Sequence, residues 1–252
     1  MADDLGRAFT FMRRADIRGT REQPFRYGTA VFTPELPLRH DSNYLDVDRP
    51  VESVTGLQAE ADRLFGAAGL RFRVLLFRNA AEGERLAAEL PRFGVDRSVV
   101  MVQRRRPDAE LDTAAIVELR PDGVRAARGS MILSYEWGSP AVAQQLLDAK
   151  NLLADWVTVR CFAAVDGSEV VSYADLYLDG ADAQVEDVAT LPEHRGRGHA
   201  KAVVTRAADE ARAAGAEFVF LVAAEDDWPR ELYRRLGFDI VGRYVKLVRR
   251  GE

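Results

Sequence analysis

The chain has 252 residues, of which 47% are hydrophobic and 30% charged, with a formal net charge of −5. This is enough apolar matter for one large or two small globular domains, and the acidic balance argues against a general nucleic-acid binder. No apolar run reaches the roughly eighteen residues of a membrane span, and a single cysteine, Cys161, excludes an internal disulfide. The opening residues, Met1-Ala2-Asp3-Asp4-Leu5, are acidic and lack the apolar core of a secretory signal. With one cysteine, this leads to an expected cytoplasmic location.

The first regular elements expected are strands over 29–33 and 44–47, then a helix over 54–67 and a strand over 72–77. A helix over 80–90 and a strand over 97–102 complete the series. The stretch Arg104-Arg105-Arg106-Pro107-Asp108, running to Asp112, is charged and carries a proline, so it is the expected linker. No aromatic residues interleave with its arginines, which makes it a solvated strand end rather than a nucleic-acid patch.

Beyond the linker a strand is expected over 114–119, followed by helical stretches over 123–135 and 140–154. Pro140 suits a first helical turn, with Ser139 as its cap. Strands over 157–165 and 170–178 flank Asp166-Gly167-Ser168, a strong hairpin signal. Cys161 falls in the first of these strands and reads as a small buried hydrophobe. A strand over 185–190 then runs into Leu191-Pro192-Glu193-His194-Arg195-Gly196-Arg197-Gly198-His199-Ala200-Lys201. The glycines allow close approach to the backbone. A helix follows over 198–214, with Ala202, Val203, Ala207, Ala208 and Ala211 as its small apolar face. A loop of this kind turns free N–H groups and the positive end of a helix toward one spot, which favours a phosphate. It lacks the Gly-Lys-Ser/Thr ending of a Walker loop, and Lys201 stands where the dinucleotide fingerprint needs its third glycine.

What remains, Arg195-x-x-Gly198-x-Ala200, resembles the R/Q-x-x-G-x-G/A motif of the GNAT superfamily of N-acetyltransferases. A second block, Glu231-Leu232-Tyr233-Arg234-Arg235-Leu236-Gly237-Phe238, is similar to the family's L-Y-x-x-x-G-F segment. It follows a strand over 218–223, and a final strand is expected over 238–248. The resemblance runs from Thr113 to the C-terminus, roughly half of the chain. It departs from the family at Asp226, where many members carry Asn, and at Pro229, where Ala is usual.

The fold class so implied is α/β with a mixed sheet: a GNAT acyl-CoA N-acyltransferase fold over 111–252 and a partial, GNAT-like α/β domain over 1–110. The N-terminal series repeats the second part of the same fold. Aligning Gly94 with Gly237 puts Leu90 in the place of Tyr233, and no arginine–glycine loop precedes the helix over 54–67. The N-terminal domain is therefore expected to be a degenerate, non-catalytic partner of the C-terminal one.

The resemblance implies that acetyl-CoA is the co-substrate and that no metal takes part. Val188, Ala189 and Thr190 would pair with pantetheine and hold the carbonyl. Arg195, Gly196, Arg197, Gly198, His199 and Ala200 would take the pyrophosphate. Tyr233 would be the general acid. The base is expected at Glu186, with Asp187 or water as alternatives. By alternation Glu186, Val188 and Thr190 share one face of the strand, and Asp187 and Ala189 the other. Met131, Tyr135, Glu136 and Trp137 lie where the family builds its acceptor pocket. Trp156 and Trp228 read as core or rim residues, and His194 and His199 have no partner spacing for a metal. The expected partner is a small-molecule amine, with no nucleic acid and no membrane, and the protein a monomer or homodimer. A protein substrate drawn to Glu225-Asp226-Asp227, or a non-catalytic CoA binder, are the other readings.

Overall fold

The computed structural model describes residues 2–16, 21–107, 111–153 and 157–251. The fold is mixed α/β, with seven α-helices and eleven strands among the described residues. The chain forms two compact units. One gathers Met1–Ala15, Val100–Ala223 and Asp227–Val241. The other gathers Asp16–Val99, Ala224–Asp226 and Gly242–Glu252. The first therefore draws residues from both sides of position 110.

The smaller unit holds β1 (Arg21–Phe25), β2 (Gly28–Phe32), β3 (Tyr44–Val47), α2 (Val54–Ala67), β4 (Arg73–Phe77) and α3 (Ala80–Glu89). It also holds the first part of β5 (Gly94–Gln103) and the last part of β11 (Phe238–Arg249). Strand β3 crosses through α2 to the parallel β4, which pairs antiparallel with β11 from Val245 to Arg249. The helices start where polar caps allow. Ser53 Oγ accepts from the Gly56 amide, and Asn79 Oδ1 accepts from Glu82. Its core centres on Phe65, whose ring meets Phe32 and Phe72 edge-on at 5.1 and 5.7 Å. Leu90 is buried in this core.

The larger unit holds α1 (Ala2–Asp16), β6 (Ile116–Leu119), α4 (Arg125–Leu133), α5 (Pro140–Leu153), β7 (Thr158–Asp166), β8 (Glu169–Asp179), β9 (Asp182–Thr190), α6 (His199–Ala213), β10 (Phe218–Ala224) and α7 (Pro229–Arg235). Its sheet runs β11-β5-β10-β9-β8-β7-β6. Strands β6 to β9 form an antiparallel meander, and β9 crosses through α6 to the parallel β10. The hairpin at Gly167 forms as expected, with Asp166 opposite Glu169 and Gly167 at φ +61°. Val203, Val204, Ala207, Ala208 and Ala211 bury one face of α6.

The N-terminal helix α1 was not foreseen. Its buried Ala8, Phe11 and Ala15 recur at helical spacing, and Phe11 meets Phe220 edge-on at 5.4 Å. Arg14 pairs with Asp179 at 2.8 Å, and Arg7 with Asp182. Strand β1 was also missed. Four of its five residues are exposed and it contains Pro24, which an edge strand tolerates. The stretch expected as a helix over 123–135 opens instead with a short 3-10 turn at Pro121–Val124. Residues 108–110 of the linker, Trp156 and the end of the helix expected over 140–154 lie outside the described residues.

Each unit contains a β-α-β-α series, and in each the second strand neighbours a strand from elsewhere in the chain. Strand β4 pairs with β11, and β10 neighbours β5. The two glycines aligned in sequence differ in backbone: Gly237 has φ +86°, whereas Gly94 is not left-handed.

Candidate active site

Two strands of the larger unit part where the site forms. Strand β9 has nine residues but pairs with β10 over only three, Asp182–Gln184 against Phe218–Phe220. Beyond Gln184 the two diverge, and the chain leaves β9 through a 3-10 turn at Pro192–His194 into the glycine loop. Gly196 and Gly198 are left-handed, at φ +76° and +87°, as tight loop backbone requires. A Cβ built on either meets nothing within 4 Å, so the space above the loop is open. Helix α6 starts at His199 with Gly198 as its cap and no side-chain hydrogen bond to its first turn. The N–H groups of that turn remain for a ligand, with the positive helix end behind them. The Nε of Arg195 donates to the Thr190 carbonyl at 3.2 Å and ties the loop back to the strand.

The second wall is α7. Pro229 sits in its first turn, and Gly237 ends it in the left-handed conformation that its position demands. Tyr233 is buried on this helix, its ring edge-on to Phe238 at 6.3 Å. Burial pushes the Tyr233 phenol above the ordinary tyrosine range, and the carboxylates of Glu186 and Asp227 push it further.

A cleft of about 620 Å³ joins these parts. Val188, Ala189, Thr190, Arg195, Gly196, Gly198, His199, Ala200 and Tyr233 all line it. Arg197 and Glu186 are not in its lining. Arg197 is exposed on the loop, and Glu186 accepts from Gln184 Nε2 at 2.7 Å. Of the acceptor candidates, Met131 and Tyr135 line the cleft. Trp137 stacks on Tyr135 at 4.9 Å, and Glu136 is exposed. Sequence reasoning missed Lys201, Asp227, Leu232 and Arg235 as lining residues, and treated Trp228 only as core or rim. Trp228 is 64% exposed and lines the cleft. Its position just before Pro229, at a helix start, was the available signal. Arg195 and Lys201 on the loop side, and Arg235 at the end of α7, add positive charge to the lining. Glu225 pairs with Arg243 at 2.9 Å.

The alternation expected along β9 fails at Asp187. Glu186 is opposite Asp175 and Ala189 is opposite Tyr173, so the register takes two residues of β9, Asp187 and Val188, against one of β8. This is a bulge, and Asp187 is the only non-glycine residue with positive φ among those described, at +52°. Cross-strand partners share a face, so Glu186 and Ala189 lie on the same side. Asp187 reaches that side too. Its carboxylate accepts from Arg128 Nε at 2.6 Å and lies 3.2 Å from Lys150 Nζ. The same two cations hold the buried Asp175, at 2.5 Å from Arg128 Nη2 and 2.9 Å from Lys150. Burial raises the Asp187 carboxyl, but Lys150 and Arg128 more than offset this and hold it below the usual carboxylate range. A carboxylate so committed is a weak base. Cys161 lies 3.1 Å from Asp175, and burial with that carboxylate pushes its thiol up, so it is no nucleophile.

Residues 130–238 match the acetyltransferase (GNAT) family model. That segment is a GNAT acetyltransferase domain. It contains α6, α7, the glycine loop and Tyr233. Among curated proteins no significant match is found. Solved structures share the GNAT fold at low identity. A functionally unknown conserved protein from Staphylococcus epidermidis is 13% identical, with 92% of this chain and 95% of that one covered at a TM-score of 0.70. A GCN5-related N-acetyltransferase from Kribbella flavida is 15% identical, with 98% and 96% covered at 0.66. A tandem GNAT protein from the clavulanic acid biosynthesis pathway is 15% identical, with 98% and 94% covered at 0.52. GNAT enzymes generally use acetyl-CoA, and the open glycine loop with its uncapped helix fits a pyrophosphate.

Proposed function

We propose that the protein is an acetyl-CoA-dependent N-acetyltransferase acting on the primary amine of a small metabolite. Residues 111–252 form the catalytic domain in this reading, and residues 1–110 a degenerate acetyltransferase-like one. The observation that carries it is a single cleft lined by the glycine loop, the first turn of α6, the end of β9 that has parted from β10, and Tyr233.

Acetyl-CoA would supply the acyl group as a thioester, from which an attacking amine displaces the thiol. The loop N–H groups from Arg195 to Ala200, with Lys201 beside them in the first turn of α6, neutralise the pyrophosphate. Arg197, exposed beside them, is assigned to the outer phosphate. Backbone groups at Val188, Ala189 and Thr190 orient pantetheine and polarise the carbonyl. Tyr233 stays protonated throughout the physiological range and donates to the sulfur as the C–S bond breaks. Glu186, whose charge is felt at Tyr233 but which does not line the cleft, takes the amine proton through water. Met131, Tyr135 and Trp228 give the acceptor an apolar wall, which favours a small molecule over an extended acidic-patch contact with a protein.

The test is a panel of amines screened for thiol release from acetyl-CoA, with a thermal-shift titration beside it. Thiol release with a small amine supports the reading. Binding without turnover on any small amine or peptide would make the protein a CoA binder, and turnover on peptides alone would make it a protein acetyltransferase.

A further inference from the structure

We propose that Arg128 and Lys150 are positioning residues that hold the acyl-binding stretch of β9 open by clamping Asp187 onto Asp175. The inference rests on the reading of the cleft as an acyl-CoA site.

Strand β9 must leave its ladder at Asp187 and Val188 for the groups beyond to face the cleft, and an L-residue resists the left-handed backbone this requires. Aspartate tolerates that backbone better than most residues, but does not select it. The selection comes from the side chain. Arg128 is 2% exposed, and its planar fork spans two carboxylates, one from β8 and one from β9, at the place where the β8–β9 register skips. Lys150, from α5, closes the same quartet and also donates to Tyr177 Oη at 2.5 Å. Two cations and two carboxylates leave no net charge, which makes the cluster tenable at this depth. The charge-assisted bonds stand in for the missing rung of the ladder and fix Val188 next to it. Sequence separations of 59 and 47 residues hide the clamp from any local pattern. None of the four side chains lines the cleft, so their action on the ligand passes through the backbone of β9.

Two charge-balanced double variants separate a backbone role from general stability. Lys150→Met with Asp187→Gly and Lys150→Met with Asp187→Ala both leave the Arg128–Asp175 pair neutral. They differ only in that glycine accepts positive φ freely and alanine does not. The alanine pair is expected to bind acetyl-CoA about five- to thirtyfold more weakly than the glycine pair, which corresponds to about 1–2 kcal/mol. Amide exchange over residues 187–190 should rise above the parental rate in both pairs, which lack the clamp, and rise further in the alanine pair. Equal affinities and equal exchange in the two would overturn the clamp. Should either pair fail to fold, Arg128→Lys keeps the charge and loses the fork. It is expected to alter exchange over 187–190 at near-parental melting temperature, and parental exchange there would overturn the proposal. A parent that binds no acetyl-CoA would sink the acyl-CoA reading, while the exchange comparison would still decide the clamp.

Discussion

Tyr233 and Gly198 carry opposite halves of the proposed reaction, and each can be tested alone. Tyr233→Phe keeps the ring that packs on Phe238 and removes the only proton that residue can give. Turnover is expected to fall roughly ten- to a thousandfold, with acetyl-CoA affinity changed by less than about threefold, because the lost donor acts in the transition state. Steady-state kinetics beside equilibrium binding check this, and unchanged turnover would reduce Tyr233 to a wall of the cleft. Gly198→Asp puts a carboxylate at the cap of α6, where φ is +87° and the space is open. The fold should survive, while acetyl-CoA affinity drops about tenfold or more from charge repulsion at the phosphate position and backbone strain. Calorimetric titration decides it, and parental affinity would remove the loop from the site. Both residues were legible in the sequence, because turn and cap chemistry is local. Asp187 was not. Its alternation was read as regular, and only the register with β8 and two distant cations make it a bulge.

At the scale of elements, α7 has only seven residues and depends on how it ends. Gly237 stops it at φ +86°, and a Cβ there would lie 2.1 Å from the Arg105 carbonyl oxygen. That carbonyl belongs to the segment leaving β5, whose Arg104 amide donates to the Gly237 oxygen at 2.9 Å. Gly237→Ala is expected to cost well over about 1 kcal/mol and to displace Tyr233 with the helix. A urea titration reads the first effect and acetyl-CoA affinity the second; a variant as stable as the parent would show that the close approach relaxes freely. The sequence located this helix end, since Gly after an apolar-periodic run is a local signal. It did not locate α1. Gly6 and Thr10 weaken its helical pattern, and what fixes it is Phe11 against Phe220. Tertiary burial overrides weak propensity in such a case.

At the scale of the molecule, two results are expected. A fragment of residues 106–252 strips the larger unit of α1 and of the part of β5 beside β10. Phe220 and the edge of β10 lose their cover. The fragment should be insoluble or molten, with strong dye binding and weak near-ultraviolet dichroism. A cooperative, monomeric and active fragment would show that the N-terminal residues are dispensable. The second result concerns alkaline pH. Burial raises the phenols of Tyr173, Tyr177 and Tyr233 above their ordinary range. In the unfolded chain they ionise near pH 10, whereas the folded chain keeps those protons. The unfolded state then binds fewer protons, so stability falls as pH rises beyond about 10, with a slope approaching about 1.4 kcal/mol per unit for each tyrosine. Below about pH 9 these groups contribute no slope. Urea midpoints between pH 8 and 11.5 with tyrosinate absorbance would show this, and ordinary titration of all the tyrosines in the folded protein would refute it.

The sequence by itself determined the parts of this protein that are written in neighbouring residues. These are the α/β alternation, the hairpin at Gly167, the glycine loop opening α6, and the end of α7 beside Tyr233, for backbone conformation there is set by residues within a turn of one another. Only the tertiary structure decided the rest. A pair of cations 22 residues apart, Arg128 and Lys150, reads in sequence as two solvated charges, and becomes a buried clamp only when α4 and α5 cover the same face of the meander. The exchange of strands that sets β11 beside β4 and β5 beside β10 is equally silent in sequence, because hydrogen-bonded backbone edges carry no side-chain signature of the strand they will meet.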